Sequence, residues 1–99
     1  MPTLPAKEAL IIELLSASGG RGEMYGLELV AASKGRLKRG TVYVTLGRME
    51  EKGLVTSQLE AAPPEAGGLP RRIYQATALG RRLHEAWSHV ARLLPEFAR

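Results

Sequence analysis

Apolar residues recur at helical spacing through the first half of the chain. Between Lys7 and about Ser18 they are Leu10, Ile11, Leu14 and Leu15, and Gly19 and Gly20 supply a stop. A second short pattern, Met24, Leu27, Leu29 and Val30, runs to Ser33 ahead of Lys34 and Gly35 and reads as another helix. From Thr41 to Lys52 the chain has two faces when wound as a helix. Val42, Leu46 and Met49 fall at i, i+4 and i+7 with Tyr43 beside them, while Thr41, Thr45, Arg48 and Lys52 are read as the opposite side. Glu50 and Glu51 lie between, so the polar side carries hydroxyls and positive charge and no acid, and Gly53 ends this third helix.

The period then changes. Leu54 to Leu59 and Ile73 to Ala76 are β-like runs, separated by Ala61 to Pro70, whose Pro63, Pro64, Gly67, Gly68 and Pro70 mark a loop. The pair predicts a hairpin with Arg71 and Arg72 on its return side. Thr77 is a suitable N-cap for a long last helix, in which Leu79, Leu83, Ala86, Trp87, Val90 and Leu94 trace one stripe before Pro95. Helix, helix, helix, hairpin, helix is a mainly α arrangement with a small β-hairpin, the order of a winged helix-turn-helix protein. A chain of 99 residues has room for one modest core. It is expected to form a single domain over 1–99, with the winged helix-turn-helix over 4–76 and the C-terminal helix over 77–94.

Composition narrows the partner. No apolar run approaches the roughly 20 residues of a membrane span, and Met1 to Ala6 lacks the basic and apolar stretches of a secretory leader. Cysteine is absent, which fits a reducing interior such as the cytoplasm and leaves no disulfide framework or thiolate metal site. The formal charge is +4, and the cations cluster: Lys34, Arg36, Lys38 and Arg39 crowd one segment, and Arg71 and Arg72 flank the Gly/Pro loop. That distribution suits an anionic partner. His84 and His89 sit five apart on one helix and point in different directions, and with neither Asp nor Cys in the chain a metal site has no third ligand. The serines lie in no nucleophile motif and no Gly-rich phosphate loop follows a strand. No enzyme constellation and no cofactor is expected.

Three stretches resemble the PadR family of transcriptional regulators. Met24-Tyr-Gly-Leu-Glu-Leu29 is similar to the family's second-helix motif, and Gly40-Thr-Val-Tyr-Val-Thr-Leu-Gly-Arg-Met-Glu-Glu-Lys-Gly-Leu54 to its recognition-helix motif. Gly68-Leu-Pro-Arg-Arg-Ile-Tyr74, with Thr77 and Gly80, resembles its wing and the start of its last helix. The likeness runs from about Leu4 to Leu94 in the family's order and spacing. Two departures stand out: Val44 replaces the Pro or charged residue common after the Tyr, and Ala78-Leu79 replaces a frequent Pro-Glu.

The resemblance implies a sequence-specific regulator, a repressor acting as a homodimer on a palindromic operator in the cytoplasm, at the nucleoid, without a membrane partner. Its third helix would enter the major groove of double-stranded DNA, where Thr41, Tyr43, Thr45 and Arg48 are contact candidates, Arg48 being able to grip a guanine edge bidentately. Lys38, Arg39, Arg71 and Arg72 would meet phosphates and set register. Leu83, Trp87, Val90 and Leu94 would form the dimer interface, and Trp87 has two readings, plain packing or one wall of a pocket for a flat apolar effector. The alternative function is a winged-helix module that binds another protein through the long helix, with weak or no specific DNA binding. An RNA-binding reading lacks surface aromatics for stacking bases.

Overall fold

The computed structural model describes residues 4–17, 22–61, 67 and 70–93. Along the chain come α1 (Ala6–Ser16), β1 (Glu23–Tyr25), α2 (Gly26–Ala32), α3 (Arg39–Glu51), β2 (Val55–Glu60), β3 (Arg71–Ala76) and α4 (Ala78–Leu93). The helix order and the hairpin match the expected winged helix-turn-helix, with one strand added. Glu23 to Tyr25 does not open the second helix. It pairs antiparallel with β3, Met24 opposite Tyr74 and Tyr25 opposite Ile73. Three residues are too few to separate a strand period from a helical one, and Met24 is buried in either.

Two further boundaries move. The third helix begins at Arg39, so Arg39 lies in its first turn and Lys38 is its N-cap. Arg71 and Arg72 belong to β3 itself. Gly19, Gly20, Gly68, Leu69, Leu94 and Pro95 lie outside the described residues.

The core is shared by all layers. Ile11, Ile12 and Leu15 of α1 meet Leu29 of α2, Val42, Leu46 and Met49 of α3, Leu54 just before β2, and Val55, Tyr74 and Ala76 of the sheet. Each of the buried Val, Leu, Ile and Met side chains contributes about 1.5–3 kcal/mol by leaving water. Leu83 and Trp87 of α4 pack on this core from outside. The sheet order is β1-β3-β2, and the β2–β3 pairing continues through Leu59 opposite Arg72 and Glu60 opposite Arg71, past the end of β1. The hairpin therefore projects as a two-stranded wing.

The turn between α2 and α3 is set by a buried hydroxyl. Ser33 Oγ donates to the Val30 carbonyl at 2.7 Å and accepts the Leu37 backbone N–H at 2.9 Å, which lets the apolar Leu37 plug the core from within a turn. Lys34 and Gly35 take positive φ, 54° and 91°, to reverse the chain there. At α4, Thr77 Oγ1 accepts the Gly80 N–H at 2.9 Å and donates to the Gly53 carbonyl at 2.6 Å, so the expected N-cap also ties the helix to the end of α3.

Candidate nucleic-acid interface

Helix α3 positions the candidate reading surface. Its buried stripe is Val42, Leu46 and Met49, so the side half a turn away, Gly40, Val44, Gly47 and Glu51 at i, i+4, i+7 and i+11, points to solvent. Thr41 and Arg48 border that stripe and are exposed. Thr45 is half-buried, its hydroxyl donating to the Thr41 carbonyl at 3.1 Å. The outward surface is thus rotated from the polar face expected from residue types. Its centre is the valine, and its C-terminal end carries an acid, Glu51.

Lys52 leaves that surface altogether. Its Nζ donates to both carboxylate oxygens of Glu8 on α1, at 3.0 and 2.9 Å. The Glu8 side chain is only 6% exposed and that of Lys52 49%. The acid missing from α3's own polar side is supplied by a helix 44 positions earlier. Thr45 and Arg48 instead line a shallow concavity with Pro5, Ala6, Lys7 and Glu8, next to the start of α1.

Cations gather at the start of α3. Lys34 and Arg36 in the turn, Lys38 at the N-cap and Arg39 in the first turn are all exposed. Lys38 makes no side-chain cap bond, and the first turn holds no acid. The helix N-terminus therefore keeps its free N–H groups and its positive dipole end among four cations.

A second concavity, of about 380 Å³, lies between the start of α2 and the wing, with Tyr43 of α3 at its side, where β3 runs on past the end of β1. Tyr25, Gly26, Leu27, Tyr43, Leu59, Arg71 and Arg72 are among the residues that line it. Three of the eight candidate DNA contacts, Tyr43, Arg71 and Arg72, are brought together here. Arg71 stacks 4.2 Å above the Tyr25 ring. Tyr25 donates its hydroxyl proton to Glu60, and that bond holds the phenol's pKa above its ordinary value. Arg72 Nη1 donates to Ser57 Oγ at 2.9 Å, and Ser57 in turn donates to Glu50 of α3 at 2.8 Å. A guanidinium has five donors, so both arginines keep N–H groups for a further anion while their planes are fixed.

Several of these residues gave no sequence pattern of their own. Ser33, Glu8 and Tyr25 act through partners distant in sequence or through backbone atoms. Val44 and Glu51 are defined only by lying opposite the buried stripe. Among the described residues no group of three His, Cys, Asp or Glu could hold a metal, and no helix is long and apolar enough to cross a membrane.

A helix-turn-helix, a cationic start to its second helix and a wing beside it define a winged helix-turn-helix protein. The chain belongs to the PadR-like family of transcriptional regulators, whose model matches residues 14–86; its members are regulators and not enzymes. No curated protein matches the chain. Among solved structures, a PadR family transcription regulator from Clostridium difficile R20291 is 28% identical, with 91% of each chain covered and a TM-score of 0.70. A PadR family transcriptional regulator from Eggerthella lenta DSM 2243 shares the fold at 24% identity and TM-score 0.74, over 93% of this chain and 77% of that one. Bacillus subtilis PadR in complex with operator DNA shares it at 19% identity and TM-score 0.71, over 86% of this chain and 48% of that one.

Proposed function

We propose that the protein is a sequence-specific DNA-binding repressor that acts as a homodimer on a palindromic operator. The observation that carries this reading is the co-location of an exposed, cation-ringed helix start with a wing concavity bearing two fixed arginines. In this reading α3 enters the major groove by its N-terminal end, with Thr41 and Arg48 at base edges and Thr45 bracing the helix beside them. Lys38 and Arg39 grip one stretch of phosphates. The neighbouring backbone passes through the concavity, against Tyr43, Arg71 and Arg72. Glu51 keeps the C-terminal end of the helix away from phosphates. Phosphate contacts position the protein and base edges specify the site.

Helix α4 supports the dimer. Leu83 and Trp87 are partly spent on the protein's own core, whereas Val90 is half-buried and Leu93 is 66% exposed. A second α4 would cover them, and two-fold symmetry would set two reading helices about one DNA turn apart. Leu94 extends the same stripe in sequence. Repression needs no further surface, because a dimer seated on a promoter excludes polymerase by occupancy. Trp87 packs against the core, which supports its packing role.

The test is salt-dependent binding to the duplex upstream of the protein's own gene, against an unrelated duplex of equal length. Selective binding whose affinity falls by about 0.9 log unit per log unit of salt for each phosphate contact supports the reading. Equal, weak binding to both favours a protein-interaction module or an operator elsewhere.

A further inference from the structure

The centre of the outward face of α3 is apolar. Val44 is 56% exposed, and a Cβ added at Gly40 or Gly47, its neighbours along the stripe, would meet nothing within 4 Å. Val44 therefore stands alone above bare backbone, one helical turn before Arg48. In a helix a valine side chain holds one rotamer, so its two methyl groups are fixed before any partner arrives. Against a base edge such a group can neither donate nor accept a hydrogen bond, and it strips water from whatever polar atom it covers. The major groove presents one apolar group it can cover without that cost, the C5-methyl of thymine.

We propose that Val44 is a specificity-determining residue that contacts the C5-methyl of one thymine in each half-site, in the groove that Arg48 also enters. The inference rests on the DNA-binding reading above and goes beyond it by naming the base. The absence of side chains at Gly40 and Gly47 lets the helix approach closely enough for the short valine to reach the base. The cations around the helix start supply the attraction that holds it there.

The experiment is selection from a random duplex library by the wild-type protein and by Val44→Ser, followed by deoxyuridine for thymine at each enriched position. Unmethylated cytosine throughout the library leaves thymine as the sole source of the methyl group. The wild type is expected to enrich a thymine that Val44→Ser does not, with the rest of the motif unchanged. Removing that methyl should weaken the wild type about fourfold, the worth of one buried methyl group, and leave Val44→Ser unaffected. An enriched motif in which no thymine responds, or in which uridine weakens both proteins equally, overturns the Val44 assignment and leaves DNA binding standing. Failure of the wild type to enrich any motif overturns the DNA-binding reading itself, and the assignment with it.

Discussion

The ring of Tyr43 lies across the bare backbone of Gly26, so near that a Cβ at residue 26 would stand 2.5 Å from the ring's Cε1 and 2.8 Å from its hydroxyl oxygen. Helix α3 is keyed to the start of α2 through this one missing side chain. Gly26→Ala must push the ring aside. The ring is the far end of a side chain 47% exposed, so it can swing, and alanine gains up to about 1 kcal/mol over glycine in a helix. Stability is expected to stay within about 1 kcal/mol of wild type while DNA affinity falls several-fold. Paired thermal melts and binding titrations check both. Unchanged affinity would remove Tyr43 from the DNA contacts.

Gly80 presents the opposite case. A Cβ there would stand 2.2 Å from the Leu54 carbonyl oxygen and 3.1 Å from Ile12 Cδ1. That carbonyl also accepts the Thr77 N–H at 3.0 Å, so it cannot move without loosening the cap of α4. Gly80→Ala is expected to cost about 3 kcal/mol, seen as a drop in Tm of more than 10 °C at roughly 4–8 °C per kcal/mol. A melt close to wild type would show that α4 can slide on the core.

Helices α1, α3 and α4 were legible because each repeats its apolar residues over three or more turns, and the hairpin because prolines and glycines punctuate it. The strand Glu23–Tyr25 was not, since its identity depends on β3, about 50 residues later. The orientation of α3 was legible only in part. The apolar stripe fixed which side is buried, but the outward side was inferred from where the polar residues fell. Lys52 belonged to that set by residue type and leaves it by contact, because its partner sits on α1. Val44, the most outward apolar residue of the helix, is in sequence only a departure from the family pattern, and its place at the centre of the surface follows from geometry alone.

The ion pair between Glu8 and Lys52 is lopsided, and its mutants should be too. Removing Lys52 strands a carboxylate that is almost fully buried, whereas removing Glu8 frees an ammonium that is half in water already. Lys52→Ala is expected to cost about 1–2 kcal/mol, less than a fully buried pair would because Lys52 is solvated, and Glu8→Gln less than half of that. Denaturant titrations of both variants give the comparison. Equal losses would show that the pair acts as a surface bridge.

Glu51 closes the outward stripe of α3 and is exposed, on the side that the proposed function offers to DNA. If the helix enters the groove by its N-terminal end, this carboxylate faces the departing backbone and repels it. Glu51→Gln should raise affinity for specific and unrelated duplexes alike by a few-fold, with the gain shrinking as salt screens the charge. A loss of affinity confined to the selected sequence would mean instead that Glu51 accepts a hydrogen bond from a cytosine amino group, and that the helix lies deeper along the groove.

In the proposed dimer helix α4 would divide its apolar residues between two tasks, and mutations should separate them. Leu83 and Trp87 touch the protein's own core, so Trp87→Glu places a charge against that core and is expected to lower stability whatever the oligomeric state. Val90 and Leu93 lie further along the helix, and Leu93 is largely exposed. Val90→Glu combined with Leu93→Glu should therefore leave each chain folded, with a near-native melt at low concentration, and abolish the dimer through repulsion between facing carboxylates. Sedimentation equilibrium reads the assembly state, and operator binding reads its consequence. A monomer keeps only one half-site's contacts, so affinity for a full palindrome should fall to that for a single half-site. If the double variant still sediments as a dimer, the subunits meet through another surface. If it is monomeric yet binds the palindrome undiminished, dimerisation is not what brings the second reading helix to DNA.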